Sequence, residues 1–260
     1  AAFLYGGCLR ALALQQLPPD SPSEQDAGSG EAGAGAGPLA EAVTLLRRAA
    51  GVYDWLAVWG LPRVAAKLPA DRPAELLISM GKTMTQVCLA EAQAVTAHRA
   101  GQRRSGAGLV TSLWVGCWEL WEAGAKTLKD NTADFNTVSD RLRRFLAIGG
   151  ALARARALKW LAEDCRANKM QAGQGEAACL DAVAVLSTCT AAAEGDASWR
   201  AVIGAEAADL EVVRLRCDKE RKTVYYQTIA KSAPDLPAPK VLVKPQPYAP
   251  MAGQGAAGAA

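Results

Sequence analysis

The sequence predicts an all-α protein, and three observations carry that prediction. Apolar residues recur at three- and four-residue steps along most of the chain, as amphipathic helices require. No segment alternates apolar and polar residues with the period of two that a half-buried strand needs, so essentially no sheet is expected. The closing stretch is different: Pro234, Pro237, Pro239, Pro245 and Pro247 forbid helix there and leave VLVKPQPY extended. An apolar extended strip such as Val241–Leu242–Val243 needs a surface to lie on. It is therefore expected to strap back across the helices before it.

The chain opens with AAFLYGGCLRALALQQL, an apolar run interrupted by Arg10 and too short to span a bilayer. It lacks the basic start of a secretory leader and reads as a core helix cut mid-way, the mark of a fragment. PPDSPSEQDAGSGEAGAGAGP follows, and its Gly, Ser and Pro content predicts a disordered loop over residues 18–37. Leu39–Val58 carries the stripe Leu39, Val43, Leu46, Ala50 and Tyr53, and Leu61–Pro62–Arg63 should break it. Asp71 is expected to cap the next helix, with Pro73 in the first turn where a missing N–H costs nothing. Leu77, Met80, Met84, Val87, Glu91 and Val95 form its stripe.

Gly101–Gly108 is read as a turn; it lacks the preceding strand and the Lys-Ser/Thr pair of a phosphate-binding loop. Leu109–Leu128 then places Trp114, Trp118 and Trp121 on one face, with Leu109 and Leu113 together on a neighbouring one. That much aromatic area marks the central packing helix. Asn131–Thr132 turns the chain into Val138–Asp164, whose Ala147, Gly150 and Ala151 would let a partner helix close in. Glu176–Ala193 returns as that antiparallel partner, a tetratricopeptide-like hairpin. Ser198 caps the last helix, with Trp199, Val202, Ile203, Ala207, Leu210 and Val213 as its stripe. The helix turns charged at Arg214–Lys222 and meets Tyr225 and Tyr226.

Half of the 260 residues are apolar, enough for a sizeable core, and 29 basic against 26 acidic residues give a net charge of +3. A dedicated nucleic-acid binder would be more basic, so no nucleic-acid partner is expected. Seven cysteines without a CxxC pair suggest neither a disulfide framework nor a zinc site, which points to a reducing, cytoplasmic compartment. His98 is the only histidine, and pairs such as Glu119/Glu122 and Glu163/Asp164 sit among basic residues. With no nucleophile motif, metal motif or phosphate loop, neither an enzyme nor a cofactor nor a metal site is expected.

The closing segment KERKTVYYQTIAKSAPDLPAPKVLVKP resembles that of the Bro-type domain family, the boomerang-shaped helical domain of Alix, Brox and rhophilin. The family ends in a charged helix, an aromatic turn, a Val-Pro step, a Leu-Pro pair and Leu-Val-Lys. Here Val224, Tyr225 and Tyr226 stand at the turn, Leu236–Pro237 form the pair, and Leu242–Val243–Lys244 close it; Ile229–Ala230 replaces the Val-Pro step. LAEAQ at Leu89–Gln93, AAGVYDWL at Ala49–Leu56 and the Gly175–Val185 helix extend the resemblance over roughly residues 39–248. The family's further N-terminal portion has no counterpart, so residues 1–248 are expected to form a partial Bro-type domain, with 249–260 a disordered tail.

The resemblance implies an elongated scaffold with an extended C-terminal strap. It also implies a non-enzymatic adaptor of endosomal sorting, cytoplasmic and peripheral on endosomes. Its partner would be the C-terminal amphipathic helix of an ESCRT-III subunit, received in a hydrophobic groove. Carried onto this sequence, the family's docking positions are Thr96, Arg99, Leu109 and Leu113, with Thr96 replacing an aromatic anchor. The two leucines have two readings: groove anchors would be partly open, core residues buried. Tyr225 matches a regulatory tyrosine of some relatives, beside a structural role in the turn. The tail lacks the cysteine of lipid-tailed members, so membrane association would come from a partner or a basic face. A helical-repeat scaffold for an unrelated peptide or cytoskeletal partner is the alternative; its groove would be lined by the Val138–Ala193 hairpin.

Overall fold

A computed structural model describes residues 1–17, 37–69, 72–131, 134, 136 and 138–250, without the side chain of Ala65. The expected loop apart from Gly37, the cap at Asp71, Thr132 and the tail after Pro250 lie outside the described residues. Among those described there is no strand. The long helices are α1 (Ala2–Gln15), α2 (Pro38–Trp55), α3 (Ile78–Gln102), α4 (Ala107–Lys129), α5 (Asp140–Ala167), α6 (Ala172–Ala192) and α7 (Ala197–Glu220). Each packs mainly on its chain neighbours, and α7 also reaches α5. Serial packing of this kind gives an elongated, all-α scaffold.

Several boundaries differ from the sequence reading for local reasons. α2 is capped by Gly37 and does not break at Leu61–Arg63: it widens into a π turn over Leu56–Gly60 and runs on through Leu61–Val64. Pro62 has no N–H to donate, and the π turn just before it is where the hydrogen-bond ladder changes register. α3 starts only at Ile78, after a 3-10 turn over Ala74–Leu76 and an extended Leu77 (φ −85°, ψ 133°). α6 starts at Ala172, four residues before the expected Glu176. α7 is capped by Asp196 rather than Ser198: the carboxylate accepts from the N–H groups of Ser198 and Trp199, at 3.0 and 3.2 Å. Gly195 (φ 83°) supplies the preceding left-handed turn.

The core is continuous from α1 to α7, and α4 is its centre. Val110, Leu113, Trp114, Cys117, Trp121 and Leu128 are all buried against α3 and α5. Trp121 lies so close to α5 that a Cβ at position 149 would meet its ring at 2.8 Å, so Gly149 is what lets the two helices approach. Trp118 does not share the burial of Trp114 and Trp121; it is half-buried beside α5. α6 is long and apolar enough to cross a membrane by composition alone. In the fold it is a packed helix, and its buried Glu176 accepts from Arg221 Nε of the turn after α7 at 2.6 Å.

After Tyr226, which adopts a left-handed conformation (φ 50°), the chain runs without regular structure to Pro250 and forms the expected strap. It crosses α6, α4 and α2 in that order. At α6 the Ala230 N–H donates to Gly173 O (3.2 Å), at α4 Lys240 N–H to Ser112 O (2.9 Å), and at α2 Gln246 N–H to Arg47 O (2.9 Å). One glycine marks each crossing. A Cβ at Gly173, Gly116 or Gly51 would stand 2.2, 2.7 or 1.7 Å from the carbonyl oxygen of Thr228, Lys240 or Gln246. Between crossings, apolar side chains dip inward: Leu236 packs on the α4–α7 core and Val243, 5 % exposed, on the α2–α3 core. Tyr248 ends the strap edge-on to Trp55.

Candidate functional site

The site begins with the last residue of the LAEAQ stretch. Gln93 is fully buried on α3, and its amide nitrogen donates to Leu113 O (3.1 Å) and Lys240 O (2.8 Å). Its amide oxygen accepts from Leu242 N–H at 3.0 Å. One side chain thus ties α3, α4 and the strap together, pairing with the strap much as a neighbouring strand would. Nothing in local periodicity distinguishes Gln93 from a surface glutamine; its full burial is the signal that only the fold supplies.

The four docking positions carried over by resemblance fall around this clasp on α3 and α4. Thr96 is half-buried and its hydroxyl donates to Ala92 O at 2.8 Å, one turn back on the same helix. Arg99 is half-buried near the end of α3. Leu109 is 41 % exposed and Leu113 is 2 % exposed. Neither of the two readings holds for both leucines: Leu113 belongs to the core, and Leu109 alone presents an apolar surface. Physically, Leu113 lies on the side of α4 that Val110, Trp114 and Cys117 turn toward α3 and α5. Leu109 shares its flank with Ser112 and Gly116, where the strap crosses.

The opposite flank of α4 faces a second feature. α4 and α6 both pack on α5, leaving between them an open groove of about 800 Å³. Its floor includes Leu146, Ala147, Ala151 and Leu158 of α5; Trp118 and Leu128 stand on the α4 side, Val185 on the α6 side. The Arg154 guanidinium lies over the Trp118 ring at 5.1 Å. Asp181, at the end nearest the strap, accepts from Ala233 N–H at 3.4 Å. Sequence reasoning gave the alternative scaffold a groove on the Val138–Ala193 hairpin, but it placed Trp118 in the core and so missed the α4 wall.

No group of three or more His, Cys, Asp or Glu able to hold a metal occurs among the described residues. His98 is exposed, with its ring nitrogen 2.9 Å from Gln102 Nε2. Burial pushes the Cys117 thiol up to about 12, and the Cys88 thiol is raised for the same reason, so neither is a nucleophile at neutral pH. Tyr225 is half-buried at the end of the π turn over Arg221–Tyr225, while Tyr226 is 83 % exposed.

Neither a protein-family model nor a curated protein sequence matches this chain. Solved structures do. A complex of the ALIX Bro1 domain with CHMP4C superposes with a TM-score of 0.66 at 15 % identity, over 82 % of this chain and 56 % of that one. The fold is Bro1-domain-like. The same score holds for ALIX in complex with the SIVmac239 PYKEVTEDL late domain, at 14 % identity over 84 % of this chain and 30 % of that chain. A structure explaining endosomal targeting by the Bro1 domain gives a TM-score of 0.65 at 10 % identity, over 95 % and 61 %. The chain thus spans 30–61 % of these Bro1-containing chains, and at such identities the likeness is one of fold.

Proposed function

We propose that this chain is a non-enzymatic adaptor of endosomal sorting, cytoplasmic and peripheral on endosomes, that receives the C-terminal amphipathic helix of an ESCRT-III subunit. In this reading residues 1–248 are a partial Bro-type domain. One observation carries it: the fold likeness to a Bro1 domain in complex with a protein partner, CHMP4C. The exposed Leu109 supports it, because an apolar side chain open beside the strap suits helix-in-groove recognition. Thr96 and Arg99 would border the contact, with Leu113 beneath it as a support rather than an anchor. Tyr225 is the position at which modification would bear on the start of the strap.

The test is a titration of an ESCRT-III C-terminal helical peptide against wild type and Leu109→Asp, with circular dichroism on both. Loss of a central anchor costs about 2 kcal/mol, roughly thirty-fold in affinity. A folded Leu109→Asp protein that binds as wild type removes the site, and a wild type that does not bind removes the reading. A second reading, a helical scaffold for an unrelated peptide, is favoured by one observation: the groove lined by α5 and α6 is where that scaffold would take its ligand.

A further inference from the structure

The groove over α5 stands apart from the Leu109 surface, since the two use opposite flanks of α4. Three features define what it can hold. The first is shape. α4 and α6 form walls and α5 the floor, and at Ala147 and Ala151, one helical turn apart, the floor carries no bulk. Small residues at that spacing let another helix backbone approach to the usual interaxial separation of about 8–10 Å.

The second is what bounds the groove at one end. Asp181 accepts there from the strap's Ala233 N–H, and Leu236, three residues on, packs on the helical core.

The third is the order of charges. α4 and α5 are antiparallel, so Trp118 lies beside Arg154 at one end and Lys129 lies on the wall with Arg143 at the other. From 118 to 129 is eleven residues, about 16 Å at 1.5 Å per residue. Arg143 is paired with Asp140, whereas among the described residues Arg154 is met only by the Trp118 ring and Lys129 has no counter-ion. Glu122 stands between them on α4, likewise without an ion pair among the described residues. Beyond Asp181, whose carboxylate accepts from the strap's Ala233 N–H, the open groove reads plus, minus, plus along an apolar floor.

Deepening the second reading above, which gives this groove to a peptide, we infer that it is a docking site beside the Leu109 surface, for an amphipathic helix of a protein partner. Its apolar stripe would lie over α5, with acidic residues about three turns apart facing Arg154 and Lys129 and a basic residue between them facing Glu122. The helix-in-groove mode supplies affinity from the stripe, and the alternating charges supply register and direction.

The experiment uses two designed sixteen-residue helical peptides with the same leucine stripe. One carries the acid–base–acid order and the other the reversed base–acid–base order. Each is titrated by fluorescence anisotropy against the full chain, Leu109→Asp, and the double variant Arg154→Glu/Lys129→Glu, with circular dichroism on every protein. Both substituted residues are surface side chains, so the variant is expected to fold. The expected result is saturable binding of the acid–base–acid peptide, at least ten-fold weaker binding of the reversed one, and inversion of that preference in the double variant. Leu109→Asp should leave all of this unchanged even if it abolishes ESCRT-III peptide binding. No saturable binding of either peptide by wild type overturns the inference. So does equal binding of both, a preference that survives the charge reversal, or a double variant that fails to fold.

Discussion

Gln93 shows how much one side chain can bear here. Replacing it with alanine strands Lys240 O and Leu242 N–H, groups whose lost partners cost about 1–3 kcal/mol each when they stay dry, while Leu113 O keeps its helical partner. Gln93→Ala should lower the unfolding midpoint, and hydrogen exchange at the Leu242 amide should accelerate by more than the global loss of stability explains. Glu206 makes a pH prediction. Burial raises its pKa, but Arg156 and Lys159, which it accepts from at 2.6 and 2.5 Å, outweigh that and hold it below the ordinary 4.5. A carboxylate held low contributes stability above its unfolded value and loses it as the pH falls through the folded one. Glu206→Gln should therefore destabilise at neutral pH by about 1–3 kcal/mol, with the gap to wild type closing below about pH 4.5 in urea titrations. Cys8 is exposed and the other six cysteines are buried, so native protein should take up one equivalent of iodoacetamide at neutral pH and seven when unfolded.

At the scale of an element, the glycines of the helices separate into two kinds. An alanine in a helix interior is favoured over glycine by about 1 kcal/mol where nothing interferes. Gly204 on α7 has nothing within 4 Å of its missing Cβ, so Gly204→Ala should stabilise by roughly that amount. Gly51, Gly116 and Gly173 sit under strap carbonyls, and alanine at any of them should instead destabilise and open the strap to proteolysis. Equal effects at all four positions, read by thermal melts, would deny that the strap lies on the helices as described. α4 offers a similar contrast. Leu113→Asp puts a charge into the core and should unfold the protein, whereas Leu109→Asp should leave the circular dichroism spectrum intact.

For the whole molecule, the strap is the tie that crosses the scaffold from α6 to α2. Truncating the chain before Asp235 removes Leu236, the buried Val243 and Tyr248 together. Burial of one such aliphatic side chain contributes about 1.5–3 kcal/mol, so the truncated protein should melt well below wild type. It should also show greater exchange at Ser112 and Arg47, whose neighbourhoods the strap covers. A truncated protein that melts as wild type would make the strap a passenger.

Much of this was legible in the sequence because it is local. The helices followed from periodicity of three and four residues, and the strap from five prolines that leave helix no option. Even an apolar strip of three residues sufficed to say that the strap must lie on something. What it lies on was not legible: Gly51, Gly116 and Gly173 look like ordinary weak points of helices until another backbone passes over them. The same holds at the site. Leu109 and Leu113 are one turn apart and identical in type, so no local pattern separates them; their neighbours across α3, α5 and the strap decide that one is open and the other core. Trp118 shares a helical face with Trp114 and Trp121 in the sequence, yet it borders a groove because α5 and α6 leave that space empty. Periodicity is a property of one helix and is set by backbone geometry. Burial is a property of every helix that packs against it, and only the tertiary structure determines it.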